Sequence, residues 1–100
     1  MSDSAHPADA RPVGREFAWL LPDFRRAIGL EQWELAMTLG MSASHLSRIH
    51  TGLKIPTEAT VRAIIGIASV RAPEWVPVLQ QAWVRDEAAR AVRLVERIVP

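Results

Sequence analysis

The chain has 100 residues, a net charge of +1 with histidine neutral, and no cysteine. That length holds one small domain with one core, and the absence of cysteine excludes disulfides, thiolate metal sites and a thiol nucleophile, which fits a reducing cytoplasm. Neither a charged-then-apolar leader nor a long apolar run is present, so a signal peptide and a membrane span are not expected, and a charge so near zero makes its distribution more telling than its total.

Residues 1–14, "MSDSAHPADARPVG", mix proline, glycine and small polar residues without periodicity and read as a flexible arm that carries Arg11. From residue 15 to 29, Phe17, Leu20, Leu21, Phe24 and Ile28 recur at helical spacing, interrupted by Pro22. Either the helix begins near Pro22, where a missing N–H is tolerated, or it bends there. Gly29 is its stop. Residues 31–39 form a second predicted helix with Leu35, Ala36 and Leu39 inward, stopped by Gly40. Ser42 is a candidate N-cap for a third helix over residues 43–50, and Thr57, after Pro56, for a fourth over residues 58–70. The fourth turns Val61, Ile64, Ile65 and Ala68 to the core. Pro73 marks the boundary before a long helical segment to Ile98, and neither strand alternation nor an internal repeat is found.

On a helical wheel at about 100° per residue, Leu46 and Ile49 fall together and face the core, while Ala43, Ser44, Ser47, Arg48 and Thr51 fall opposite. That outward face is short, polar and uncharged except for Arg48. Solvated faces usually carry Glu and Lys, whereas small hydroxyl residues let a helix approach another surface closely. A DNA major groove admits one α-helix, and Ser and Arg side chains can reach base edges within it. From Leu35 through Thr57 the chain has Arg48 and Lys54 and no carboxylate, which suits an edge that faces phosphates. An ordinary exposed helix with fortuitously few acids is the plainer alternative.

Residues 29–68, "GLEQWELAMTLGMSASHLSRIHTGLKIPTEATVRAIIGIA", resemble the XRE-type helix-turn-helix domains, the lambda-repressor-like and Cro-like family. The features that carry the resemblance are Gly29-Leu30, Gln32, Leu35-Ala36, Leu39-Gly40, Ser42, Leu46-Ser47-Arg48-Ile49, Gly52 and Pro56. It implies an all-α domain of four to five short helices over residues 15–72, followed by a C-terminal helical segment over 73–100. It also implies that residues 43–50 are the recognition helix. Ala43, Ser44, Ser47 and Arg48 would then read bases. Gln32 would grip a phosphate or buttress the recognition helix, Lys54 would reach the backbone, and Trp33, Ser42, His45 and Thr51 would contact the backbone or support it. Three positions depart from the family pattern: Pro22 falls inside its first helix, Trp33 replaces a polar exposed residue, and His50 stands where glutamate is common.

In the last segment Trp75, Val78, Leu79, Ala82 and Trp83 share one helical face, but Val84, Ala88, Ala91, Val95 and Ile98 lie roughly opposite, spaced 4, 3, 4, 3 like a heptad seam. One continuous helix would pack its first half on its own domain and its second half on a mate in a homodimer. A break near residues 85–87 would instead let two helices fold back on one monomer. A two-fold dimer would set its recognition helices about 34 Å apart, on a pseudo-palindromic site.

Other chemistry finds little support. His45 and His50 are about 140° apart around a helix and cannot share a metal as an i, i+4 pair can. Ser44 and Ser47 have no oriented base, and Glu34, Asp86 and Glu87 show no pairing beyond that of solvated helix faces. Arg11 and Arg15 either sit on solvent or follow a groove, as arms do in several DNA-binding folds, and the sequence gives no preference. An enzyme, a cofactor and a metal are not expected. The expected partner is double-stranded DNA, for a dimeric transcriptional repressor. The rival is an adaptor or antitoxin-like protein that holds a protein partner through the C-terminal helix and Trp33, with DNA binding secondary.

Overall fold

The computed structural model describes residues 13–98, apart from the side chain of Ile98. The arm expected over residues 1–14 is described only at Val13 and Gly14, which form a turn. Arg11 and the seam role given to Ile98 lie outside the described residues. Five helices follow one another among the described residues, α1 (Glu16–Ala27), α2 (Gln32–Thr38), α3 (Ala43–His50), α4 (Glu58–Arg71) and α5 (Trp75–Ile98), with no strand. The all-α expectation holds, and no helix among these residues is long and apolar enough to cross a membrane.

α1 starts at Glu16 and runs through Pro22, so the helix does not begin at the proline. A proline there removes one intrahelical hydrogen bond. Packing offsets the loss, because Phe17, Leu21, Phe24 and Ile28 are all buried on both sides of Pro22 and form the spine of the main core. Into this spine pack Ile49 from α3, Val61, Ile64 and Ala68 from α4, and Leu79 and Ala82 from α5. A smaller cluster of Leu35, Ala36 and Leu46 joins α2 to α3, with Leu30, Leu39, Met41 and Ile67 packed against both clusters.

The helix boundaries follow local chemistry. Ser42 Oγ accepts from the His45 N–H at 3.1 Å and Thr57 Oγ1 from the Thr60 N–H at 3.2 Å, so both hydroxyls cap as their positions suggest. Glu31 and Glu34 close a reciprocal capping box at the start of α2, a role for Glu34 that its reading as a solvated acid missed. Between α2 and α3 the chain reverses at Gly40, whose φ of +71° an L side chain rarely adopts. The Met41 N–H then returns to the Ala36 carbonyl at 3.0 Å, which sets α3 at its angle to α2.

α5 is one continuous helix of 24 residues, without the break considered at residues 85–87. Its first half lies across α1 and α4, as expected. Two edge-to-face ring contacts anchor it, Phe17 with Trp83 at 5.8 Å and Phe24 with Trp75 at 5.6 Å between centroids. Val78, expected inward, is exposed; the buried stripe runs instead through Leu79 and Ala82 and continues to Asp86.

Asp86 is the largest departure from the sequence reading. It is buried, with 2% of its surface exposed, and its carboxylate accepts from the backbone N–H groups of Glu16 at 2.7 Å and Phe17 at 2.9 Å. The residue before α1, Arg15, supplies no side-chain cap, so an acid some 70 positions along the chain does that work. Beside it, Arg85 grips Glu16 with Nη2 to Oε1 at 2.6 Å, and Arg90 Nη1 donates to the Gly14 carbonyl at 3.0 Å while stacking over Trp83. α5 is thereby fastened to the beginning of α1 by polar bonds as well as by rings.

Candidate nucleic-acid interface

α3 is a short helix with two sharply different faces. Leu46 and Ile49 are fully buried, one in each core cluster, and their packing determines which residues face out. Ala43, Ser44, Arg48 and Thr51 are exposed, and Ser47 and His45 are half-buried. The outward face is therefore the one the wheel gives, with Arg48 its one charged member.

Both ends of α3 are held from outside the helix. At the N-terminus Ser42 caps, and Gln32 Nε2 reaches across from the first residue of α2 to donate to the Ala43 carbonyl at 3.4 Å. This is the buttressing geometry among the two considered for Gln32. At the C-terminus the Arg48 carbonyl accepts from the N–H of Leu53 at 2.9 Å, the N–H of Lys54 at 3.1 Å and the Thr51 hydroxyl at 3.2 Å. The turn is folded back onto the last turn of the helix, and Lys54 is exposed just beyond it. Trp33 stands 58% exposed on the second residue of α2, and Met37, one turn later, is also exposed. Glu31 and Glu34 flank Trp33 and bond to the start of α2, so the acids nearest the hairpin are occupied with backbone.

His50 closes α3 on its inner side, away from the outward face. Its Nε2 is buried without a hydrogen-bond partner among the described residues, as is Nε of Arg25. Burial, and then the charge of Arg25, push the His50 pKa below its ordinary value, so the imidazole is neutral at neutral pH. Where a glutamate would place a negative charge beside Arg25, this chain places a neutral ring.

Arg15, which the sequence leaves open between solvent and a groove, is placed by the structure at the recognition hairpin. It lies beside the far end of α3, with Nη1 donating to the Thr51 carbonyl at 3.5 Å. Its neighbour in the chain, Glu16, is taken up by Arg85, so the carboxylate closest in sequence does not cancel it. The sign that could have pointed to this placement is a cation standing where α1 needs a capping residue. Of the seam positions of α5, Val84, Ala88, Ala91 and Val95 are exposed, as are Val92 and Leu94.

A family model described as a helix-turn-helix domain matches residues 16–74, which spans α1 to α4 and the turn before α5. The chain belongs to the helix-turn-helix domain family. Neither a curated protein nor a solved structure matches it. As a helix-turn-helix protein it carries a domain class that binds DNA, and α2, the Gly40 turn and α3 form the motif itself. The match ends at residue 74, so all of α5 lies beyond it, including the residues that cap and clamp α1.

Proposed function

We propose that the protein is a sequence-specific transcriptional regulator of the XRE type, a dimeric repressor that places α3 in the major groove of a pseudo-palindromic operator. The observation that carries this is the outward face of α3: Ala43, Ser44 and Arg48 exposed, with Ser47 half-buried among them, on a helix anchored by two fully buried residues. Arg48 reads a base, Ser44 and Ser47 approach base edges closely, and Ala43 allows the helix to sit deep. Thr51 and Lys54 hold phosphates, while Ser42 and Gln32 keep the N-terminus of α3 in place and His45 and Trp33 border it. Occupying a promoter would block polymerase.

The dimer of this proposal is supported by the apolar content of the exposed α5 face, where Val84, Val92, Leu94 and Val95 are each more than half exposed. From residue 91 to 97 every side chain of α5 is exposed, and an apolar row on such a projecting helix fits a second helix of the same kind. Two-fold pairing there would repeat the recognition helix at a spacing of about 34 Å.

Purified protein incubated with fragmented genomic DNA at physiological salt tests the proposal. It should retain a few fragments that share an inverted repeat, and Arg48→Ala should lose about 1–3 kcal/mol of affinity for them if Arg48 contacts a base in two places. Retention of random fragments by both proteins, or an unchanged affinity in the variant, would refute base reading by Arg48.

A further inference from the structure

Arg15 occupies the residue before α1, where a helix ordinarily has a short polar cap. It has been released from that task, because Asp86 accepts from the first N–H groups of α1. Its guanidinium crosses instead to the end of α3 and lies directly over Gly52. A Cβ on Gly52 would run into Arg15 Nη1, and Gly52 also holds a φ of +82°. The backbone favours glycine there, and the absence of a side chain leaves the space that the guanidinium occupies.

Arg15, Gly52 and Lys54 line one shallow notch with Gly14 and Pro56, and both cations are exposed. The carboxylate in the notch wall is Asp86, which is buried and turned to backbone. The outward charge of the notch is positive, and it adjoins Thr51 and Arg48 on the face of α3. Arg90 holds the carbonyl of Gly14, which fastens the backbone immediately before Arg15 to α5.

We infer that Arg15 joins Lys54 in a two-pronged phosphate clamp over the Gly52 turn, gripping the DNA backbone at the rim of the groove that α3 enters. The inference rests on the reading of α3 as a recognition helix and adds a contact from α1 to it. The planar guanidinium can present two parallel N–H groups to phosphate oxygens, and the Lys54 ammonium acts as a point charge beside it. Such a clamp carries no sequence information; it sets the depth and register at which Arg48 and Ser47 meet the bases.

Salt titrations of DNA binding by the full chain test the clamp, comparing wild type with Arg15→Gln, Arg15→Lys, Lys54→Gln and Arg48→Ala. Each is measured on a retained genomic fragment and on an unrelated duplex, with thermal denaturation alongside. Each glutamine variant should make the slope of log Kobs against log salt shallower by about 0.9. It should weaken both duplexes by the same factor, and leave Tm unchanged. Arg15→Lys should keep the wild-type slope. An unchanged slope in Arg15→Gln, or a fall in Tm in its place, would overturn the clamp even if Arg48→Ala loses selectivity as expected. A wild-type protein without salt-dependent DNA binding would overturn the clamp and the recognition reading together.

Discussion

The outward faces of α3 and of the second half of α5 are both exposed, yet they are built from opposite materials. α3 presents Ala43, Ser44, Arg48 and Thr51, small and polar with one cation, whereas α5 presents Val84, Ala88, Ala91 and Val95. On the inner side the two differ again: α3 is held by two apolar residues, and α5 by rings plus the carboxylate of Asp86 and the guanidinium groups of Arg85 and Arg90. Periodicity gives the inner side of a helix, but the chemistry of the outer side indicates its partner. A polar face with Arg suits a groove lined by hydrogen-bonding edges, and an apolar face suits another apolar helix.

The sharpest way to break this comparison is to cut α5 from the domain without touching either outer face. Asp86→Ala leaves the N–H groups of Glu16 and Phe17 unsatisfied in a buried site, and should cost about 2 kcal/mol of stability. Chemical denaturation checks the value. A loss of only a few tenths would mean that α1 holds its own N-terminus and that α5 is an appendage.

A smaller effect on the monomer, and a larger one on assembly, is expected from Val84→Gln with Val95→Gln. Both side chains are exposed, so monomer stability should change by no more than about 0.5 kcal/mol. Sedimentation at micromolar concentration should show a dimer for wild type and a monomer for the double variant, whose net charge is unaltered. A wild type that stays monomeric with and without DNA would remove the dimer from the proposal.

The smallest effect concerns His50. Its folded-state pKa is depressed by burial and Arg25, so the folded protein binds the proton less readily than the unfolded chain. The resulting stability is present above the unfolded value of about 6.5 and is lost as pH falls from there towards the folded pKa. Tm should therefore decline as the pH is lowered through this range, and His50→Gln should flatten that decline. An equal decline in the variant would assign the pH dependence to other groups.

Much of the helix-turn-helix was legible because its signals are local. Ser42 and Thr57 cap within three residues, Gly40 ends α2 two residues after its last helical residue, and the wheel of α3 depends only on Leu46 and Ile49. The passage of α1 through Pro22 was less legible, since burial of Phe17 and Leu21 against other helices decides it. The clamp between α5 and α1 was illegible as a pairing, because Asp86 and Glu16 are separated by 70 positions. Two traces of it were nonetheless in the chain. Arg15 stands where a cap belongs, and Asp86 lies three and four residues beyond Trp83 and Ala82, on the stripe that α5 buries. Val78 was misplaced for a related reason: it is next to Leu79, and the packing of α5 against α1 and α4 decides which of the two is covered.

The central claim, that α3 enters a major groove twice in a two-fold arrangement, is tested most directly by methylation protection of guanine N7 on a retained genomic fragment. The account predicts two dyad-related clusters of protected guanines about 10 bp apart, both weakened by Arg48→Ala. A single unpaired cluster would contradict the two-fold arrangement, and unprotected guanines under a bound protein would contradict major-groove entry itself.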